Sequence, residues 1–445
     1  MYIVDRVYIN PQHLAFPYLD RNAQLAKNLY NASLFRLRNH FTARKKDKLS
    51  TNEQLVENEL SLLPRPQKSV ISAYALQKIM VLTSNPDYYS GLPSQTAQHV
   101  VSQACTDFRN WLRSLSAWKK DPSGFTAMPR MPRYKKLSRC EYSFMNQTAF
   151  IRSRKIVLPL TKVTVQVRVR KGCRLKETKV IPYHGGYLLC LCYESDTDAT
   201  AQAGPCSAAI DFGVDNTMAV VTDTGMSVLF TGGAIKSENR LFNKTRAELV
   251  SAMTKGHKTS ALPQTHRLHS LSRHRQEFIH DTFQKMSSRL MEWCLRNGVS
   301  TIVLGSNKGW KQESSIGKAG NQCFVSIPFD KLKRMIRYKA ERIGFCVVEQ
   351  EESYTSKASF LDGDLIPVYG KNDSSASFSG YRIQRGLYKS KDGVLINADL
   401  NAAANILRKA GFDTGSVSIQ DLLCPRVIGY KDLNTCIPVK RIGAA

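Results

Sequence analysis

The sequence predicts a multidomain α+β protein, and three observations predict it. A β-branched and aromatic opening, MYIVDRVYI, gives way to a stretch from about Pro17 to Ser114 in which apolar residues recur near helical period. Residues Tyr142 to Tyr193 then alternate at strand period, and beyond Ser207 strands come first and afterwards alternate with helices. At 445 residues the chain can bury more than one core, the length prior being about three domains of ~150 residues.

Each element follows from its spacing. Leu25, Leu29, Ala32 and Phe35 mark a first helix, and SQTAQHVVSQACTDFRNWLRSL carries Val100, Ala104, Phe108, Trp111 and Leu112 on one stripe. This is a helical insertion after a first strand. DPSGFTAMPRMPRYKK stops the helix with Pro122, Gly124, Pro129 and Pro132 and offers Arg130, Arg133, Tyr134, Lys135 and Lys136 to phosphates. KVTVQVRVR alternates over nine residues, with HGGYLLCLCY expected as its hairpin partner, so a small β-barrel or sandwich fits. SDTDATAQAGP, Ser195 to Pro205, is small, polar and free of aromatics, which marks a linker.

After the linker, SAAIDFGVD and TMAVVTDTG are expected as a strand pair, with a further strand at MSVLF. A long helix buries Ile279, Phe283, Met286, Leu290 and Cys294 and leaves Arg273, Arg275, Lys285 and Arg289 on other faces. The strand STIVLG, the helix PFDKLKRMIRYKAERIG, the strand FCVVEQ, a long polar insertion and the helix NADLNAAANILRKAG, closed by Gly411, complete the chain. Strands followed by strand–helix alternation, with acids at strand ends, describe an RNase H-like α/β domain.

Charge sets the class of partner. With 64 Lys+Arg against 36 Asp+Glu the net charge is +28, recurring in blocks such as ARKKDK, PRYKK, KLKRMIRYK and RGLYKSK, which points to nucleic acid. No apolar run approaches the ~18 residues of a membrane span, and the amino terminus lacks a signal-peptide core, so a cytosolic protein is expected. Eleven cysteines contain no CxxC pair, which argues against zinc. Cys190 and Cys192 share one face of a strand and are expected as buried apolar thiols, free in a reducing compartment.

Three acidic stations carry the chemistry: Asp211 in AAIDFGVDN, Glu352 in EQEESYTSK and Asp399 in LINADLNAAANI. Two divalent cations about 3.5–4 Å apart need hard oxygen ligands converging from separate elements, and these stations are suited to supply them. Asp211 sits in an apolar strand where a lone carboxylate is costly without a metal or a hydrogen-bonding partner. Asp215 and Asp223 are expected as loop acids. Asp399 can cap a helix, although Asn397 can do so instead.

The runs LPSQTAQHV, PRMPRYKK, AIDFGVDN, TIVLGSNKGWKQ, ESYTSK and INADLNAAANIL, in that order, resemble the TnpB family, insertion-sequence-encoded RNA-guided nucleases ancestral to type V CRISPR effectors. The resemblance implies a β-barrel wedge domain (1–15 and 115–205), a helical recognition domain inserted in it (16–114) and a RuvC nuclease domain (206–358 and 398–445) interrupted by an insertion (359–397). It implies a guide RNA, a double-stranded DNA target next to a short flanking motif, and a monomer within the ribonucleoprotein in the prokaryotic cytosol. Flanking-motif contacts would come from Ser94, Gln95, Gln98 and His99, which can equally be ordinary polar residues on an exposed helix face. Further nucleic-acid contacts would come from Arg273, Arg275, Lys308, Trp310, Lys311, Arg385 and Lys389. Asp211 and Asp399 match the family's first and third catalytic acids, with magnesium as cofactor.

Two departures stand out. Relatives carry the second acid where this chain has Gly305, at the end of TIVLG; Glu352, one strand over, is taken as its relocated replacement, with Glu349 as the next choice. A second face of the strand separates Glu352 from Glu349 and Glu351. The zinc ribbon's cysteine pairs are absent from 359–397, where Tyr369, Phe378, Tyr381, Leu387 and Tyr388 can form a small core and Arg382, Arg385, Lys389 and Lys391 a nucleic-acid face over the active site. The alternatives are a nuclease-inactive RNA-guided repressor and a small type V CRISPR effector. A DNA-strand transferase would need a nucleophilic tyrosine or a His-rich site, and the nine histidines form no HxH pair.

Overall fold

Two strand systems organise the chain in its computed structural model, which describes residues 2–67, 70–195, 204–255, 265–306, 327–368 and 377–435. The chain divides into two units, Met1–Thr197 and Asp198–Ala445. No helix of the described residues is long and apolar enough to cross a membrane.

In the first unit, β1 (Tyr2–Ile9) leads into α1 (Phe16–Ala43), α2 (Thr51–Ser61), α3 (Ala73–Leu82) and α4 (Ser94–Lys120). The strands β2 (Tyr142–Met145), β3 (Phe150–Arg152), β4 (Lys155–Val157), β5 (Thr164–Gln166), β6 (Cys173–Tyr183) and β7 (Gly186–Ser195) follow. They form an antiparallel sheet in the order β1-β7-β6-β2 and a separate antiparallel sheet β3-β4-β5. The buried stripe of α1 runs through Leu19, Ala23, Ala26, Leu29, Leu34 and Leu37, while Leu25, Ala32 and Phe35 flank it. On α4, Val100, Ala104 and Phe108 are buried and Trp111 and Leu112 pack at the margin. Asp20 of α1 ties the helix to later chain: it accepts from Tyr187 Oη at 2.7 Å and pairs with Arg139.

The nine-residue strand expected at KVTVQVRVR is only three residues long, because β5 pairs with the equally short β4. The hairpin partner of β7 is instead β6, joined by a two-residue turn in which His184 (φ 43°) and Gly185 (φ 78°) are both left-handed. Such a turn matches the twist of the flanking strands, so β6 is recruited despite its lysines and Glu177. Cys190 and Cys192 do share a face, but Leu189, Leu191 and Tyr193 alternate with them into the core. The thiols lie on the other face, opposite Arg6 and Val4 of β1.

In the second unit, β8 (Cys206–Asp211), β9 (Asn216–Thr222) and β10 (Ser227–Thr231) form an antiparallel meander. Helices α5 (Gly233–Thr254) and α6 (His266–Arg296) lead to β11 (Val299–Ser306), then α7 (Phe329–Ile343) and β12 (Cys346–Glu351). Next come β13 (Tyr381–Gln384), β14 (Leu387–Lys389), β15 (Leu395–Asn397), α8 (Ala398–Lys409), α9 (Ile419–Leu423) and β16 (Arg426–Ile428). The large sheet has the order β12-β11-β8-β9-β10-β16, with β11 parallel to β8 and β12 parallel to β11. Its two faces sort by alternation: Ile210, Phe212 and Leu304 pack with Phe283, Leu332 and Ile336 of α6 and α7, whereas Ala209 and Val303 meet Ile406 and Leu407 of α8. The predicted α6 stripe, Ile279, Phe283, Met286, Leu290 and Cys294, is buried throughout. Arg289, expected on an outer face, is itself buried and donates to Glu292 and the Leu433 carbonyl.

The insertion forms a small antiparallel sheet β13-β14-β15. Of its expected core only Tyr388 is fully buried, packing with Ile396 and Leu400; Tyr381 is exposed, Phe378 stacks on Tyr354, and Tyr369 lies outside the described residues. Tyr388 is held by its own hydroxyl, which donates to the Lys357 carbonyl at 2.8 Å. Asp364 does the cross-linking, accepting from the backbone N–H of Ser359 at 2.7 Å and of Ser379 at 3.1 Å.

Candidate nuclease site

Two strand ends, flanking β11 on either side, and one helix start carry the three acids. Asp211 ends β8, Glu352 follows directly on β12, and Asp399 lies in the first turn of α8. Asp399 is relieved of capping, because Asn397 Oδ1 accepts from the N–H groups of Asp399 at 3.0 Å and Leu400 at 3.3 Å. The Asp399 carboxylate instead takes a hydrogen bond from Asn216 Nδ2 at 2.9 Å and lies 3.9 Å from the Arg382 guanidinium. Gly213 permits this approach: a Cβ there would stand 2.8 Å from the Asn216 carbonyl and 3.6 Å from Asp399 Oδ2.

Gly305 and Glu352 are complementary. A Cβ built on Gly305 would lie 2.5 Å from Glu352 Oε2, so the glutamate carboxyl fills the space a side chain at 305 would enter. The turn that brings it there is held from α8. Asn405 Nδ2 donates to the carbonyls of Thr355 (2.9 Å) and Ala358 (2.7 Å), and Asn401 bonds Ala358 O (2.8 Å) and Phe360 N (2.9 Å). These asparagines, four residues apart on one buried face, bind the second acidic station to the third, a role that sequence reasoning missed.

The other acids of β12 are spoken for. Glu349 pairs with Arg337 of α7, and Glu351 with Lys409 of α8 at 2.6 Å. Their partners lie on opposite faces of the sheet, so strict alternation fails at the strand end, where the chain is already turning. Glu352 Oε2 alone of these is buried with no hydrogen-bond partner.

The electrostatics agree with a shared acidic site. Asp211 is held well above the usual carboxylate range by burial first, then by the charges of Glu352 and Asp399, against the pull of Arg382. Burial pushes Glu352 up to about 7, opposed chiefly by Lys333. Lys333, on α7, donates to the Gly305 carbonyl, and its ammonium stands 4.9 Å from the Phe212 ring centroid. Sequence reasoning missed this lysine, which sits in an ordinary basic helix, KLKRMIRYK.

A buried, unpartnered Glu352 oxygen and an Asp211 carboxyl that feels the charges of both Glu352 and Asp399 offer the hard oxygen donors that a divalent cation such as magnesium takes. As the side chains lie, no three Asp, Glu, His or Cys groups among the described residues are gathered tightly enough to ligate one ion. Because Glu352 titrates above the ordinary value near 4.5, the native state keeps a proton that the unfolded chain releases, and stability in EDTA should fall as pH rises from about 4.5 to about 7. Melting in EDTA at pH 5 and pH 8 is expected to show a larger drop for the native protein than for Glu352→Gln, by on the order of 2 kcal/mol. Equal drops would place the carboxyl in water.

The other sequence-predicted contacts are dispersed. Ser94, Gln98 and His99 are exposed at the start of α4, and Gln95 bonds Gln147 at 2.6 Å. Arg130, Arg133 and Lys136 are exposed, Tyr134 lies under Arg38, and Lys135 covers the Tyr30 ring at 4.3 Å. In the second unit Arg273 pairs with Glu277 at 3.0 Å, while Arg275 is drawn into the α5–α6 hairpin by Asn239 (2.6 Å) and Phe242. Arg385 reaches Asp215 at 2.6 Å, making that residue more than a loop acid since it also pairs with Lys236. Asp223 accepts from Ser207 N at 2.7 Å. Lys389 is half-buried in β14, and Lys308, Trp310 and Lys311 lie outside the described residues.

Comparison with known proteins bears on both halves of this sheet. Residues 190–311 match OrfB_IS605, a family of probable transposases, and residues 329–406 match the Cas12f1-like TNB domain. A TnpB-like protein, ORF457 of Acidianus two-tailed virus, is 28% identical over 207 residues, covering 46% of this chain. The match spans only 41% of the viral protein's length. The solved structure of a Cas12f1–sgRNA–target DNA complex superposes with a TM-score of 0.50 at 12% identity, covering 87% of this chain and 82% of that one, which shows a shared mixed α+β multidomain fold. The two family matches and the viral relative thus make the chain similar to TnpB-like proteins over its second half.

Proposed function

We propose that this protein is an RNA-guided DNA endonuclease of a transposable element, cutting with a RuvC-type site made of Asp211, Glu352 and Asp399. The observation that carries the reading is Glu352 Oε2, buried, unpartnered, and lying where a side chain at Gly305 would stand. It answers the departure at Gly305 and weighs against an inactive, binding-only protein. The strand order, an antiparallel meander extended by two parallel strands at its β8 edge and by the parallel β16 at its β10 edge, supports an RNase H-like domain. The β1-β7-β6-β2 sheet and helices α1 to α4 are the candidates for the wedge and recognition domains.

Bound magnesium would supply an activated water and neutralise charge on the phosphodiester. The chain's own residues arrange that chemistry. Asp211, Glu352 and Asp399 would hold the cations; Asn216 fixes one oxygen of Asp399, leaving Oδ1 facing Arg382, which is placed to meet a phosphate. Guide RNA and double-stranded target DNA are the partners of this reading, which the Cas12f1 structure of similar fold, a complex with sgRNA and target DNA, supports. A monomer in the ribonucleoprotein and a zinc-free insertion complete the reading, and the charge of +28 suits a heteroduplex gripped by its backbone.

The test is reconstitution with the RNA that copurifies, followed by cleavage of a matched duplex. Cutting should require magnesium and vanish in Asp211→Ala while guided DNA binding persists. Magnesium-independent cutting, or full activity in that variant, would reject the site.

A further inference from the structure

We propose that Lys333 is a positioning residue for the carboxylate site: held on the Gly305 carbonyl, it fixes the end of β11 so that the space over Gly305 stays open to Glu352. The inference rests on the nuclease reading above and extends it to a residue outside the acidic stations.

Three observations carry it. First, Lys333 approaches from the α7 face of the sheet, whereas the Glu352 carboxyl lies over Gly305 beside Ile406, on the α8 face. The ammonium therefore braces the strand end from behind and does not occupy the space between the acids. Second, its contacts are the carbonyl at the end of β11 and the ring of Phe212, next to Asp211 at the end of β8. One side chain thus touches the ends of both strands that frame the site. Third, Gly305 has no side chain of its own to pack there, and a Cβ would meet Glu352 Oε2, Ile406 Cδ1 and the Ile210 carbonyl at 2.5, 2.9 and 3.1 Å. A glycine is needed for Glu352 to enter, yet glycine leaves the peptide its greatest freedom. A hydrogen bond to its carbonyl restores the order the side chain cannot supply. Withdrawing an ammonium from water is costly, so a half-buried lysine next in sequence to the buried Leu332 calls for such a role.

The positioning role and a bare charge effect predict opposite signs. A fixed cation behind a metal site repels metal, so if Lys333 acted only by charge, removing it would tighten binding. If it positions Glu352, removing it weakens binding, by about tenfold as for other residues that orient a metal ligand.

Manganese(II) titration of the full-length protein, followed by electron paramagnetic resonance, separates the two without recourse to cleavage. Lys333→Met is expected to raise the dissociation constant about tenfold, and Lys333→Arg to stay close to the native value. Native or tighter binding by Lys333→Met overturns the proposal. Should Lys333→Met not fold, Lys333→Ala, which removes the donor and the charge together, decides: native or tighter binding points to charge alone and rejects positioning, while weaker binding supports it. Glu352→Gln is the control for the nuclease reading. If it binds manganese as the native protein does, that reading fails; if it weakens binding and Lys333→Met does not, only the role of Lys333 falls.

Discussion

Glu352→Ala is expected to lower cleavage at least about 10³-fold, roughly 4 kcal/mol in the barrier, with guided DNA binding unchanged. A carboxyl whose Oε2 is buried without a hydrogen-bond partner and which burial raises to about 7 has little to contribute to folding, so its loss should leave the fold intact. The decisive variant is the exchange across strands. Gly305→Glu alone should also be impaired, since its Cβ would press on Glu352 Oε2 at 2.5 Å and add a fourth carboxylate. In Glu352→Ala the largest clash is gone, leaving the tip of Ile406, a flexible side chain, at 2.9 Å and the Ile210 carbonyl at 3.1 Å, which must give by only a few tenths of an ångström. The double variant Gly305→Glu/Glu352→Ala should therefore cut at least about tenfold faster than Glu352→Ala alone, a gain of ~1.4 kcal/mol. Cleavage of a guided substrate under single-turnover conditions measures all three. If Glu352→Ala cuts normally while Glu349→Ala does not, the second ligand is Glu349, and its pairing with Arg337 must break on metal binding.

The second large effect separates two jobs at the start of α8. Asn397→Ala removes the oxygen that accepts from the Asp399 and Leu400 N–H groups, and should cost about 1 kcal/mol, a fall of about 2–4 °C in melting temperature for a unit of this size. Its cleavage should stay within about threefold of native, because the Asp399 carboxylate and its Asn216 partner remain. Asp399→Ala should do the reverse, abolishing cleavage by about 10³-fold with little change in melting temperature. Removing one of several neighbouring negative charges relieves repulsion in the metal-free protein, which favours the fold. A large stability loss in Asp399→Ala together with preserved cleavage would make it a helix cap and nothing more.

These contrasts follow the line between local and non-local information. The helices α1, α4 and α6, the strand end that carries Asp211, the helix start that carries Asp399, and the basic character of the chain were legible because period, apolar content and charge are properties of consecutive residues. The short β5 and the recruitment of β6 were not, since both depend on which strand lies alongside. Glu352 was legible as a candidate but its choice over Glu349 and Glu351 was argued from alternation, which the turn at the strand end breaks. What distinguishes it is that Arg337 and Lys409 engage its neighbours and leave it alone. Asn216, Asn401, Asn405 and Lys333 gave no signal, each being a common residue whose partner is distant in the chain.

Read alone, the sequence determined a basic, multidomain α+β protein with three acidic stations in TnpB order, because composition and periodicity survive without coordinates. Only the tertiary structure decided that a carboxyl from the next strand, that of Glu352, fills the space over Gly305. That substitution is a matter of volume: one cavity above a glycine, a glutamate from β12 that fills it, and a helix whose asparagines hold the intervening turn in place. Volumes shared by residues 47 positions apart have no trace in local pattern, since they exist only once parallel strands lie side by side.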